Sequence, residues 1–152
     1  MRYSVDLALS GFHLRHKRAH ALLVRDFVSW LRVEFLGTAA ATGVLDGLLE
    51  PRSAAELGRD LEVVDQRLLE ALLRVGESIG ELRVDGGRWR LAGARARAMV
   101  DPVVDGLAAL PEEAVFYGTD VYRRLGGRLA GEPPGDYLAV HGELVARTSR
   151  VA

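Results

Sequence analysis

Apolar residues recur along most of this chain at spacings of three and four, the period of a helix with one buried face. From about His13 to Leu36 the row Val24, Phe27, Leu31 and Phe35 marks one such face. Trp30, Val33 and Leu23 lie on other sides, and a helix apolar on more than one face is buried from two directions. Residues 1–12 are a weakly patterned leader. Gly37 interrupts the period, and a second helix is expected over the small-residue run Thr38 to Glu50, ended by Pro51. Ser53-Ala54-Ala55-Glu56 has the spacing of a capping box and starts a short helix, Ala54 to about Leu61. Asp65 caps the next, Gln66 to Ile79, with Leu68, Leu72, Val75 and Ile79 as the expected buried stripe and Gly80 at its end.

The period then changes to two. Leu82 and Val84, then Trp89 and Leu91, alternate with charged residues around Asp85-Gly86-Gly87, a strong hairpin signal. Helix, short helix, helix and hairpin is the order of a winged helix-turn-helix. The expected fold is therefore mainly α, with a winged core at 37–92 and helices on both flanks. After Gly93 the pattern is helical in pieces punctuated by prolines, over about 94–99, 102–109, 112–130 and 135–151. The last stops in mid-pattern.

With 152 residues, 49% hydrophobic and 27% charged, the chain has the size and composition of one globular domain. It has no cysteine, which excludes disulfides, thiolate metal sites and cysteine nucleophiles. The N-terminus places its apolar stretch before its basic residues, the reverse of a secretory signal. No run approaches the roughly 18 apolar residues of a membrane span. The expectation is a cytoplasmic protein with no membrane partner.

Several clusters invite chemical readings. His13, His16 and His20 share a helical face, but no carboxylate joins them at ligand spacing, so a solvated basic helix end is preferred to a metal site. If the chain read DNA, Gln66–Ile79 would be the recognition helix. Its outward residues Arg67, Glu70, Arg74 and Glu77 are of mixed sign, and the formal net charge is −1. Phosphate binding favours cations, so nucleic acid is not the expected partner, although Arg83, Arg88 and Arg90 of the wing keep a small winged-helix transcription regulator as the alternative. Glu112-Glu113 and Asp101/Asp105 read as acidic first-turn residues. No catalytic, cofactor-binding or metal-binding residue is expected in this chain.

The run from Phe35 to Gly93 resembles the N-terminal dimerisation domain of class I S-adenosylmethionine-dependent, O-methyltransferase-like enzymes. The resemblance rests on Gly43-Val44-Leu45-Asp46, on Ser53-Ala54-Ala55-Glu56-Leu57-Gly58, on the leucine-rich Leu68 to Val75, and on Gly87-Arg88-Trp89-Arg90-Leu91. It departs at Gly76 and Glu81, two positions expected to loosen the local fit. It implies a homodimer through a helix carrying Val24, Phe27, Trp30, Leu31 and Phe35. It also implies that the later helices cover a small-molecule substrate, with Tyr117, Tyr122, Tyr137 and His141 as candidate lining residues. S-adenosylmethionine would belong to a following Rossmann-like domain, whose opening strand and glycine-rich turn have no counterpart here. Residues 1–36 would then be leader and dimerisation helix, and 93–152 the lead-in to that domain.

Overall fold

The computed structural model describes residues 16–102, 107–133 and 135–149. The chain divides into residues 1–31 and residues 32–152. It is mainly helical with one two-stranded antiparallel hairpin. Helix α1 spans Lys17–Ala41, α2 Val44–Gly47, α3 Ala54–Asp60 and α4 Gln66–Ser78. Strands β1 (Leu82–Asp85) and β2 (Arg88–Leu91) follow, then α5 (Ala94–Met99) and α6 (Ala109–Phe116). A π-helical turn at Tyr117–Tyr122 leads to α7 (Leu125–Leu129), and α8 is Tyr137–Thr148.

The caps form as the sequence dictates. Ser53 Oγ accepts from the Glu56 N–H at 3.2 Å while the Ser53 N–H donates to Glu56 Oε2 at 2.7 Å. Asp65 Oδ1 accepts from the Leu68 N–H at 3.0 Å. The hairpin pairs Val84 with Trp89 and Asp85 with Arg88, and both turn glycines take positive φ, 55° and 78°. Arg52 adds a bridge on the far side of β2: the Arg52 N–H donates to the Trp89 carbonyl at 3.0 Å, and the Trp89 N–H donates back at 2.6 Å. A single bridging residue has no alternating pattern, so nothing in the sequence announced it.

Four expectations about the helices are corrected. Gly37 does not interrupt α1, which runs on to Ala41. A Cβ at Gly37 would stand 3.0 Å from both the Pro111 carbonyl oxygen and Val115 Cγ2, so the missing side chain admits α6 against the helix. The helix expected over 38–50 is reduced to α2, because Gly43 turns the chain with a φ of 74°. The buried stripe of α4 is Leu69, Leu73 and Gly76, whereas Leu72, Val75 and Ile79 are half-buried and Leu68 is 67% exposed. The helix expected over 112–130 is divided among α6, the π turn and α7, and residues 103–106 of the helix expected over 102–109 lie outside the described residues. Pro111 sits inside the first turn of α6, where the N–H it lacks would have had no helical partner.

The core gathers Phe35, Leu36, Ala39, Val44, Leu45, Leu48, Leu57, Leu69, Leu73, Leu82, Trp89 and Ala96. Gly76 is what closes it. A side chain there would collide with the Phe35 ring and approach Leu82 Cδ1 to 2.8 Å. The position therefore tightens the fit instead of loosening it.

Glu81 is likewise no loose departure. It is 1% exposed and is the one charged residue in the buried set among the described residues. Arg32 Nε of α1 lies 3.1 Å from Glu81 Oε1, and Arg32 Nη2 also donates to the Ile79 carbonyl at 3.0 Å. Arg95 Nη1 reaches the same carboxylate oxygen at 3.2 Å, and the Ala96 N–H in the first turn of α5 donates to Oε2 at 3.3 Å. The Glu81 backbone carbonyl accepts from the N–H groups of Ala92 and Gly93. One residue thus joins α1, the end of α4, the hairpin and α5. Removing one member of a buried ion pair leaves the other uncompensated, at a cost of about 3–5 kcal/mol. Glu81→Leu should lower the urea-unfolding free energy by about 3 kcal/mol, at the low end of that range because Arg32 is partly hydrated. Arg95→Ala, at a largely exposed side chain, should cost under about 1 kcal/mol.

The Glu56 carboxyl is held below the usual carboxylate range, first by the Ser53 backbone N–H, then by the Ser53 hydroxyl and by Arg88. A depressed folded-state pKa contributes stability that is present above the unfolded value and lost as pH falls through the folded one. The melting-temperature gap between the parent and Glu56→Ala should stay constant from neutral pH down to the ordinary carboxylate range and close in stronger acid.

Candidate functional site

The first surface is on α1. Leu23, Val24, Phe27 and Trp30 are all exposed, at 69%, 48%, 59% and 52%, and Leu22 and Val28 are exposed beside them. Leu23, Phe27 and Trp30 stand at i, i+4 and i+7, so they line one face. The Phe27 and Trp30 rings lie 5.7 Å apart. Leu31 is half-buried. Phe35, placed by its period on the same outward row, is 3% exposed and belongs to the chain's own core, between Gly76 and the other apolar residues. Of the expected interface row, Val24, Phe27 and Trp30 remain open to a partner. Large apolar side chains exposed close together in this way are uncommon on a monomer.

The second surface is a groove of about 340 Å³ walled by the end of α1, by α2 and by α4. Its lining is almost wholly apolar: Val44, Leu61, Val63, Leu68, Leu69 and Leu72, with Thr38, Thr42 and Asp65 at its margins. The chain leading into α4 supplies it, and there Glu62 takes a φ of 54°. Val64, beside the groove, is fully exposed. The expectation that Leu68 lay inside the core hid this groove from sequence reasoning. The available signal was the Val63-Val64-Asp65 run, apolar residues set where a polar turn would be ordinary.

The third region is the face α6 shares with α8. Phe116 is buried and its ring centroid lies 3.9 Å from that of His141 and 5.3 Å from that of Tyr117. Arg147 Nη1 donates to Glu112 Oε2 at 3.3 Å. The structure therefore brings Tyr117 and His141 together around Phe116, a residue not singled out in the sequence. Tyr122 is 68% exposed. The side chain of Tyr137 lies outside the described residues. Glu112 pairs with Arg147, which gives that carboxylate a structural partner in place of a paired-carboxylate role.

On the outward face of α4 and on the hairpin, two cations, Arg74 and Arg88, are already engaged. Arg74 pairs with Glu77 at 2.9 Å and lies over the Trp89 ring, 5.1 Å from its centroid. Arg88 donates to the Pro51 carbonyl at 2.8 Å and pairs with Glu56 at 3.2 Å. Arg52 pairs with Asp60. Each pairing removes positive potential from the surface that would face phosphates. His13 lies outside the described residues, and His16 and His20 are exposed. Among the described residues no group of three or more His, Cys, Asp or Glu side chains is placed to hold a metal ion. No helix among them is long and apolar enough to cross a membrane.

No protein-family model matches the sequence, and no curated protein does. Among solved structures, the chain is similar to the N,N-8-amino-8-demethyl-D-riboflavin dimethyltransferase from Streptomyces davawensis, with a TM-score of 0.52 and 26% identity. The match covers 88% of this chain and 44% of that one, so the chain spans less than half the length of the dimethyltransferase it resembles.

The two tryptophans are sharply different: Trp30 is 52% exposed and Trp89 is 4% exposed. Iodide should quench the fluorescence of the dilute protein only in part, and Trp30→Phe should abolish the quenchable component while leaving the emission of Trp89.

Proposed function

We propose that this chain is the N-terminal dimerisation and substrate-covering part of a small-molecule methyltransferase, built on a winged-helix core. The observation that carries this reading is the similarity to a dimethyltransferase over 88% of this chain and only 44% of that enzyme. The order α2, α3, α4, β1, β2, with the Arg52 bridge as a third short strand, supports the winged-helix description. In this reading S-adenosylmethionine and the transfer itself belong to a Rossmann-like domain beyond these residues. The apolar face of α1 serves dimerisation. The aromatic group of Phe116, Tyr117 and His141, with Tyr122 and Tyr137 near it in sequence, serves the substrate side. The methyl acceptor is a small molecule held where these helices meet the catalytic domain. The setting is cytoplasmic.

The helix–helix–helix–wing order also suits a DNA-binding regulator, and the engaged state of Arg74 and Arg88 argues against it. A groove-reading helix gains its affinity from cations that reach phosphates. Here α4 instead presents Leu68 outward, between Arg67 and Glu70.

Isothermal titration of this chain with S-adenosylmethionine should give no binding heat, and saturable one-to-one binding would overturn the placement of the donor site. Fluorescence anisotropy with labelled duplex DNA should show no salt-dependent binding. A salt slope typical of several phosphate contacts would favour the regulator.

A further inference from the structure

The groove of about 340 Å³ lies wholly within residues 32–152. Its volume falls in the range of roughly 300–1,000 Å³ typical of small-molecule sites. Its floor is apolar, and Leu68, 67% exposed, lies open in it. An apolar floor holds any apolar body of the right size. The groups at its margin decide what else the ligand carries.

Those groups are acidic and accepting. Asp65 is the one charged residue in the lining. Its Oδ1 takes the Leu68 N–H, and no donor among the described residues meets its other oxygen. Glu62, between Leu61 and Val63, is exposed. The N-terminus of α4 carries about half a positive charge, less than the carboxylate that caps it, so the margin stays negative. The cations closest in sequence face elsewhere. Arg67 stands two residues from both Asp65 and Leu69, a spacing that does not share a helical face. Arg59 lines a separate depression with Arg52 and Arg88. From Phe35 to Leu45 the chain carries no charge. Thr42 donates its hydroxyl proton to the Thr38 carbonyl at 2.8 Å, so toward the groove it offers only lone pairs. An ammonium group has three donors and no acceptor, which is the complement of this margin.

We propose that this groove is a binding site for a small amphiphilic amine, its apolar body seated on Leu68, Leu69 and Leu72 and its protonated nitrogen at Asp65. The site uses neither the dimerising nor the substrate-covering role proposed above, and it stands if either of them fails.

Phenylbutylamine, phenylbutanol and phenylbutyrate are probes with one apolar body and a positive, a neutral or a negative end. Each is titrated into the isotope-labelled chain at neutral pH and fixed ionic strength and followed by amide chemical shifts. The amine should saturate with a Kd of about 1 mM or tighter, as for a ligand of this size, and its shifts should map to Thr38, Thr42 and Leu61–Leu72. It should bind about threefold more tightly than the alcohol, the effect of a partly exposed ion pair, and the acid should bind weakest. Asp65→Asn keeps the cap, since asparagine caps a helix as well as aspartate does. It should remove most of the preference for amine over alcohol and leave the alcohol's Kd unchanged. Leu68→Ser should weaken all three probes at least about threefold, through lost apolar contact.

Equal affinities for the three probes, or tightest binding of the acid, overturn the proposal. So do amine shifts centred on the exposed residues of α1 in place of the groove, or no saturation by about 10 mM. Groove amides that move on dilution without any probe would mean that a second copy of the chain occupies the site, which overturns it as well. Should Asp65→Asn lose its fold, salt decides on the parent chain. The amine's advantage over the alcohol should fall as sodium chloride rises, and an advantage that salt leaves unchanged overturns the proposal.

Discussion

The arrangement of residues 32–152 depends on one buried carboxylate. Glu81 sits where α4 has ended and β1 has not begun, and a charge there is costly unless it is met from several sides. It is met by Arg32 from α1, by Arg95 and the Ala96 N–H from α5, and its own carbonyl takes two N–H groups where the hairpin leads into α5. Apolar packing has no direction, so a core of leucines alone would leave α1 and α5 free to slide. The carboxylate has direction. It sets the registers of α1 and α5 against the hairpin together, and so fixes where the groove wall and the following helices begin.

Close approach is the second constraint. Gly76 admits the Phe35 ring against α4, and Gly37 admits α6 against α1. Both remove Phe35 and its neighbours from any outward role. The apolar surface that remains exposed on α1 is accordingly confined to Leu22–Trp30, upstream of the residues used in the core. The same economy appears on α4. By turning Leu69, Leu73 and Gly76 inward, the helix leaves Leu68 facing out and opens the groove. The apolar surfaces left open are thus consequences of how the core is satisfied.

Much of the local structure was legible in the residues. The Ser53/Glu56 capping box, the Asp65 cap, the Gly86-Gly87 turn and the alternation of Leu82, Val84, Trp89 and Leu91 each depend on contacts within a few positions, and each forms as expected. So did the apolar character of α1. What misled was the phase of long helices and the meaning of single exceptions. A leucine-rich helix such as α4 offers two adjacent stripes, 68–72–75–79 and 69–73–76, and periodicity cannot choose between them. Gly37 reads as a break and Glu81 as a polar intrusion, because the partner that justifies each lies far along the chain: Pro111 and Val115 for the first, Arg32, Arg95 and Ala96 for the second.

By itself, then, the sequence determined the elements whose hydrogen bonds and turns close locally: the caps, the hairpin, the helical order and the absence of cysteine chemistry. It also carried the resemblance to methyltransferases, and a dimethyltransferase is among the similar solved structures. The tertiary structure decided which leucines of α4 face outward, that Phe35 is core while Phe27 and Trp30 are not, that α1 passes through Gly37, and that Glu81 is a hub. The physical reason is separation. Local hydrogen bonds are fixed by neighbours a few residues away, whereas burial and the pairing of a buried charge are fixed by groups that only the folded chain brings together.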